Sequence, residues 1–441
     1  MMYKNRAVLA CAALLALSGC GIFKGGGKKT PVLGDRVPIL MAESEATADK
    51  TLADVQVLLP PPEANENWAQ PGGNAAKSMG QLALGATLSR AWSASVDGGS
   101  NRQRLAAPPV VAAGRLYAMD VDATVHAFAA DTGAQAWTTS IAKDDKKTRS
   151  ARFGGGVSFD DGKVYATDGL GDVVALDAAT GAEVWRAKPG GPLRGSPTIE
   201  GDNLYVLSQD NQLFALAKKD GSIVWTQSGS LETQGVFGVA APAASQGTVV
   251  SGFSSGELNA YRFENGRSLW QDALSRSSIS TSVSSLADID ASPVIDRGLV
   301  FAVGQGGRMV ALEIVSGQRI WEQNFAGIST PWVAGEWLFL VTDDARLVCL
   351  ARATGKVRWI QQLRHFRNEK SRKNPITWYG PVLAGNRLVL TNSRGEIVSA
   401  SADTGEVGTV IDAGKSFSLP PIVANSTLYV LDQKGRISAY R

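Results

Sequence analysis

The sequence predicts an all-β protein, an eight-bladed β-propeller of four-stranded antiparallel blades whose ring is closed by an N-terminal strand joining the C-terminal hairpin. Three observations predict it. One phrase recurs from residue 105 onward, the hairpins it contains count to eight, and the first and last units are incomplete in complementary ways. Composition agrees: 44% of the 441 residues are apolar, 19% are charged and 48 are glycine, too apolar for disorder and too turn-rich for a helical bundle.

The phrase is an apolar pair after proline, a turn, a strand of the Leu-Tyr type, a Gly/Asp/Asn turn, an alternating strand, and then Thr-Gly-x-x-x-Trp. Its endings are Gly133/Trp137, Gly181/Trp185, Gly221/Trp225, Gly266/Trp270, Gly317/Trp321 and Gly355/Trp359, with Gly405 and Thr409 as a worn copy. The hairpins run from Gly114-Arg115-Leu116-Tyr117 to Ser426-Thr427-Leu428-Tyr429. The last one ends at Arg441 with no tryptophan strand after it, while Leu88-Ser89-Arg90-Ala91-Trp92 is such a strand without its hairpin. A linear solenoid leaves that split unexplained, whereas a closed ring requires it and removes exposed sheet ends. The tryptophans are expected on the outer strands, packed between blades, with each glycine supplying a left-handed turn.

Three segments are expected: residues 1–19 as an export signal, 20–66 as a lipidated N-terminus and flexible tether, and 67–441 as the propeller. Lys4 and Arg6 precede the apolar run Ala7–Ser18, too short to be a resident membrane helix. The run ends in Leu17-Ser18-Gly19-Cys20, which resembles the bacterial lipoprotein box and implies lipidation of Cys20. Gly21, rather than aspartate, after that cysteine implies sorting to the outer membrane, with the chain held on its periplasmic face. Gly25-Gly26-Gly27 and Pro60-Pro61-Pro62 lie in a stretch without a sustained period, which suits a tether.

Chemistry is sparse. The remaining thiol, Cys349, sits in an apolar strand pattern and is expected to be buried and inert. His126 and His365 are the two histidines, too few for a histidine zinc site and poor material for a Ser-His-Asp triad. Gly408–Ser416 misses the phosphate-loop register by one residue and falls in an expected strand. A formal net charge of +3 gives no reason to expect nucleic acid as a partner. No catalytic residue, cofactor or metal site is expected, and the chain is read as a non-enzyme.

Ala130-Asp131-Thr132-Gly133 to Trp137, Ala178-Ala179-Thr180-Gly181 to Trp185 and Ala402-Asp403-Thr404-Gly405 resemble the quinoprotein-like repeat, over residues 68–441. Quinoprotein dehydrogenases carry an adjacent cysteine pair and a calcium cluster, neither of which can be assembled here. Length varies in the crossings from each outer strand to the next inner strand. Two carry charge runs, Lys143–Lys147 with Arg149, and Arg364–Arg367 with Arg372 and Lys373, read as solvated loops with partner or headgroup contact as a second reading. After Trp270 comes Leu286-Ala287-Asp288-Ile289-Asp290-Ala291-Ser292-Pro293, similar to a segment of the BamB family of outer-membrane assembly lipoproteins. That resemblance implies docking on the periplasmic domains of BamA, contact with other components of the β-barrel assembly machinery, and nascent outer-membrane β-barrel proteins as clients. It implies partner-binding roles for Leu286, Asp288 and Asp290, and for Leu231, Thr233 and Gln234 in the preceding crossing. There Gln234 stands where the family carries an arginine, and Thr233 where it carries a leucine. The two aspartates equally suit a turn before the inner strand, where Asp side chains accept from nearby backbone N–H groups. A generic periplasmic binding propeller and a quinoprotein dehydrogenase are the alternatives.

Overall fold

The computed structural model describes residues 46–100, 103–142, 153–231, 238–274 and 288–441. Among them are eight four-stranded antiparallel sheets, seven of which run inner to outer in chain order. Blade 1 consists of Val110–Ala112, Arg115–Met119, Thr124–Ala129 and Gln135–Ser140. Blades 2 to 7 occupy 155–187, 198–228, 243–273, 294–323, 332–362 and 378–412. Blade 8 pairs Ile422–Ala424, Thr427–Leu431 and Arg436–Tyr440 with the N-terminal strand Arg90–Ser95, so the ring closes as the split repeat requires. Ser89 and Arg441 seal that joint with reciprocal backbone bonds of 2.9 and 2.7 Å. The two middle strands of each blade are covered on both faces by neighbouring blades, which is why Leu204–Leu207 or Leu338–Val341 reads as a continuous apolar run.

The N-terminal segment departs from the expected tether. Residues 46–66 do not hang free. The Asp49 N–H donates to the Val357 carbonyl (2.8 Å), Lys356 pairs with Asp49 (3.1 Å), and the Val57 N–H donates to Asp403 (3.0 Å) while the Val57 side chain is buried. The strap thus runs along the outer edge of blade 6 and reaches blade 7. It has apolar residues to bury and backbone groups to satisfy, and the edge of blade 6 offers partners for both. The chain then crosses one end of the channel and bonds blade after blade. Trp68 meets Val111, Ala69 meets Phe159, Gln70 meets Ile199, and Ala75 and Ala76 meet Ala244 and Ile295. Leu82 then bonds Leu383, and Asn65 bonds Val423 and Asn425.

Seven joints between blades share one device. The indole N–H of Trp92, Trp137, Trp185, Trp225, Trp270, Trp321 and Trp359 donates to a backbone carbonyl of the following blade at 2.7–3.1 Å. The face of each indole lies against the glycine of that blade's Thr-Gly-type turn, at φ between +67° and +75°. A Cβ on any of these glycines would stand 2.4–2.7 Å from indole or neighbouring atoms, so the residue must be glycine for space as well as for conformation. The residue paired opposite each tryptophan is small: Ala439, Ala127, Ala175, Ala215, Ala260, Ala311, and Cys349 in blade 6. Cys349 therefore fills an alanine seat, and burial pushes its thiol far up from the usual range.

The eighth joint differs for a topological reason. Thr409 replaces the tryptophan on the exposed outer strand Val407–Asp412, and blade 8 has no Gly turn to receive one, because its outer strand enters from the N-terminus. The segment containing Asn65 and Leu82 ties blade 7 to blade 8 instead.

Gly317→Ala would place its Cβ 2.5 Å from Trp270, whereas Gly298→Ala at a similar φ meets nothing within 4 Å. Urea unfolding should show a loss of about 1 kcal/mol for Gly298→Ala and about 2–4 kcal/mol for Gly317→Ala. Equal losses would mean that the indole contact adds nothing to the cost of the left-handed turn.

Candidate functional site

The inner strands surround a cavity of about 330 Å³. Trp68, Gly72 and Lys77 of the N-terminal segment line it, together with residues that precede or begin the inner strands, such as Pro108, Ser196, Ser292 and Ile422. The N-terminal segment bonds farther along those strands, so it floors the cavity, and the opposite end opens among the crossings. Lys77 is buried in that floor, donates to Thr198 Oγ1 at 3.0 Å, and is lowered by burial to about 7. Asp290 is the one carboxylate on the cavity wall among the described residues.

The crossings over blades 3 to 5 are fastened by one buried guanidinium. Arg194 lies in the lead-in to the inner strand of blade 3, fully enclosed, and its Nη2 donates to Asp288 Oδ1 and Asp290 Oδ1, both at 2.8 Å. Gln305 Nε2 donates to Asp290 Oδ2 at 2.6 Å, and the Gln305 backbone N–H donates to the Asp288 carbonyl at 3.0 Å. Ile289, between the two aspartates, is buried against Gly252. Gly238 lies over the ion pairs so closely that a Cβ would stand 1.7 Å from Arg194 Nη2 and 1.9 Å from Asp290 Oδ1. A side chain there would break the pairs, so glycine is required by contact.

The preceding crossing is held at its near end as well. The Ser230 N–H and Oγ donate to the two carboxylate oxygens of Glu257 at 2.7 and 2.6 Å, and Asn211 Nδ2 donates to the Ser230 carbonyl at 2.7 Å. Leu231 follows directly and is 78% exposed. The backbone is thus fixed at Ser230, and the apolar side chain that follows faces solvent, as those of Leu58 and Val315 also do. The described parts of this crossing are its start, where Glu257 holds Ser230, and its later part from Gly238, which packs against the Arg194–Asp290 pair.

Of the residues singled out in the sequence, Leu231, Asp288 and Asp290 are described, and Cys20, Thr233, Gln234, Leu286 and the charge run 143–149 lie outside the described residues. Asp288 is 1% exposed, so its carboxylate is an internal partner of Arg194 and is not offered to solvent. Neither carboxylate caps a backbone turn among the described residues; both are turned toward Arg194, correcting the capping alternative. Arg194, Gly238, Gln305 and Glu257 were not singled out. The available signal was Arg194 itself, a lone cation between Leu193 and Gly195-Ser196-Pro197. His126 is not solitary, since its Nε2 lies 2.8 Å from Asp120 Oδ2. His365 stacks on Phe366. Gly408–Asp412 falls within the outer strand of blade 7, away from any helix. No group of three or more His, Cys, Asp or Glu side chains among the described residues is placed to hold a metal ion.

A closed eight-bladed ring with Gly–Trp joints is a propeller of the quinoprotein-like class. The solved structure of BamB from Moraxella catarrhalis is similar, with a TM-score of 0.69 at 19% identity, over 80% of this chain and 100% of that one. A quinohemoprotein alcohol dehydrogenase from Comamonas testosteroni shares the fold at a TM-score of 0.67 and 16% identity, over 85% of this chain and 80% of that one. The family model described as outer membrane protein assembly factor BamB matches residues 121–361, and the chain belongs to that family. Among curated relatives, BamB of Yersinia pestis is 27% identical over 355 residues, 80% of this chain and 88% of its own. BamB of Escherichia coli is 28% identical over 354 residues, with the same coverage.

Burial, with the Asp288 charge beside it, pushes Asp290 up to about 7 against the attraction of Arg194. A carboxyl whose folded pKa is raised holds its proton in the folded chain at a pH where the unfolded chain has lost it. Stability therefore falls as pH rises from about 4 to about 7, by up to about 1.4 kcal/mol per pH unit. Asp290→Asn should flatten that slope in urea titrations at pH 4.5, 5.5 and 6.5. An unchanged slope would place the titration elsewhere.

Proposed function

We propose that the chain is a non-catalytic scaffold of outer-membrane protein assembly, docking through its crossing face on the periplasmic domains of BamA and aiding insertion of β-barrel proteins. Membership of the BamB family and the assembly role in the relatives' names support the coarse reading. The observation that carries the finer one is Leu231, exposed directly after Ser230, whose N–H and hydroxyl are held by Glu257. In this reading Leu231 meets the partner directly. Asp288 and Asp290 act from beneath, holding the two crossings in one shape. Preorganised loops lose little conformational freedom on docking, so a rigid brace under an apolar anchor raises affinity without touching the partner. Lipidation of Cys20 would keep the ring on the periplasmic face of the outer membrane, near its client barrels and the other assembly components.

The experiment is capture of BamA from mild-detergent extract by the full chain and by Leu231→Asp and Asp288→Ala variants, each with its thermal melt. Leu231→Asp should lose BamA at least tenfold with its melt unchanged, because a charge is placed in an apolar contact. Asp288→Ala should lose BamA and melt earlier, since Arg194 is left short of a partner. Undiminished capture by Leu231→Asp would remove the proposed contact.

A further inference from the structure

The crossing from blade 6 to blade 7 is not a plain loop. It folds into a two-stranded hairpin, Phe366–Asn368 against Lys373–Pro375, projecting from the ring. Its base is anchored. Leu363 and Ile376 are buried, the Ile376 N–H donates to the His365 carbonyl (2.8 Å), and the Trp378 indole donates to the Arg364 carbonyl (2.9 Å).

Residues 364–373 hold Arg364, Arg367, Lys370, Arg372 and Lys373 against a single acid, Glu369. Their net charge of +4 exceeds the +3 of the whole chain, so everything outside this stretch sums to slightly negative. All five cations are exposed. No ion pair among the described residues engages any of them: Arg364 and Arg367 donate to backbone carbonyls, and Glu369 accepts from the backbone N–H groups of His365 and Phe366. Elsewhere the molecule pairs its surface arginines freely, as Arg319 with Asp272 and Glu322, Arg297 with Glu336, and the neighbouring Arg394 with Glu396. Arg372 also stands at φ +50°, a conformation that glycine or asparagine adopts more cheaply. The cations spread over both strands and the turn, with no enclosing pocket, and half-buried Phe366 stacks on His365 at the base. A diffuse cationic surface on a rigid mount fits a field of phosphates better than a single bound anion.

We infer that residues 364–375, the hairpin with the arginine at its base, are a docking surface for anionic lipid headgroups, set against the membrane by five exposed cations. Each basic residue near an anionic surface multiplies partition by about fivefold. The inference does not depend on docking to BamA.

The test is hydrogen exchange at amides 366–375 of the full chain, mixed with vesicles of phosphatidylcholine alone or with about one-third phosphatidylglycerol. The readout is local, so it holds whatever else keeps the protein on the vesicle. Exchange should slow severalfold on the anionic vesicles alone and recover in about 0.5 M salt, where the Debye length falls to a few ångströms. A Lys370→Gln/Arg372→Gln/Lys373→Gln variant, all at exposed positions, should keep its melt and lose that protection. Equal exchange on both vesicles would overturn the inference. So would protection by inorganic phosphate alone, or by polyglutamate without vesicles, which would assign the hairpin to a soluble anion or an acidic protein.

Discussion

The contact on which the molecule depends is an indole laid across a glycine. Each tryptophan closes one blade against the next by covering a left-handed turn and donating to a carbonyl beside it. The geometry is nearly constant around the ring, so each added blade turns by a similar angle and the eighth returns to the first. A small residue opposite the indole completes the device, and Cys349 is understood as one such seat rather than as a reactive thiol. Where the device is absent, between blades 7 and 8, the termini do its work. Strand Arg90–Ser95 completes blade 8, and the segment around Asn65 and Leu82 spans the joint from the channel floor.

Closure also produces the site. A floored channel places the lead-ins of blades 3, 4 and 5 close enough for Arg194 to reach across blade 4 to Asp288 and Asp290. Burial first, and the second carboxylate beside it next, outweigh the single cation, which is why Asp290 is raised rather than lowered by its surroundings. Such pairs give little net stability compared with apolar packing, but removing one member is costly, and they fix a single arrangement of the segments they join. Here those segments are the lead-ins at the ends of two crossings, the one from Gly238 and the one from Asp288, with Leu231 at the start of the first.

The periodic part of the fold was legible because it is written in residues with one physical role. Thr-Gly-x-x-x-Trp can be counted, and the missing tryptophan strand at the C-terminus matches the surplus one at Trp92. Thr409 looked like decay, whereas it marks the joint where no Gly turn exists to receive an indole. The course of residues 46–66 was hidden, since prolines and polar residues look the same in a free tether and in a strap that bonds to blades 6 and 7. The aspartates at 288 and 290 could be singled out by resemblance, but not their burial. Their partner Arg194 lies 94 residues away from Asp288, in another blade, and no local pattern links them. Gly238 shows the same limit: its close approach to Arg194 exists only once the ring has closed.

The central claim is that Asp288 and Asp290 shape the docking face through Arg194 rather than by touching the partner. The most direct measurement is BamA capture and urea stability of an Arg194→Met/Asp288→Asn/Asp290→Asn triple variant beside Arg194→Met alone. Methionine fills the volume of the guanidinium and an amide at position 290 can still accept from Gln305, so the triple variant keeps these segments packed together with no buried ion unpaired; it should remain within about 2 kcal/mol of the parent and still capture BamA, while Arg194→Met alone loses both. A triple variant that folds as stably as the parent yet fails to capture BamA would mean that the carboxylates contact the partner themselves, and the brace would not be their function.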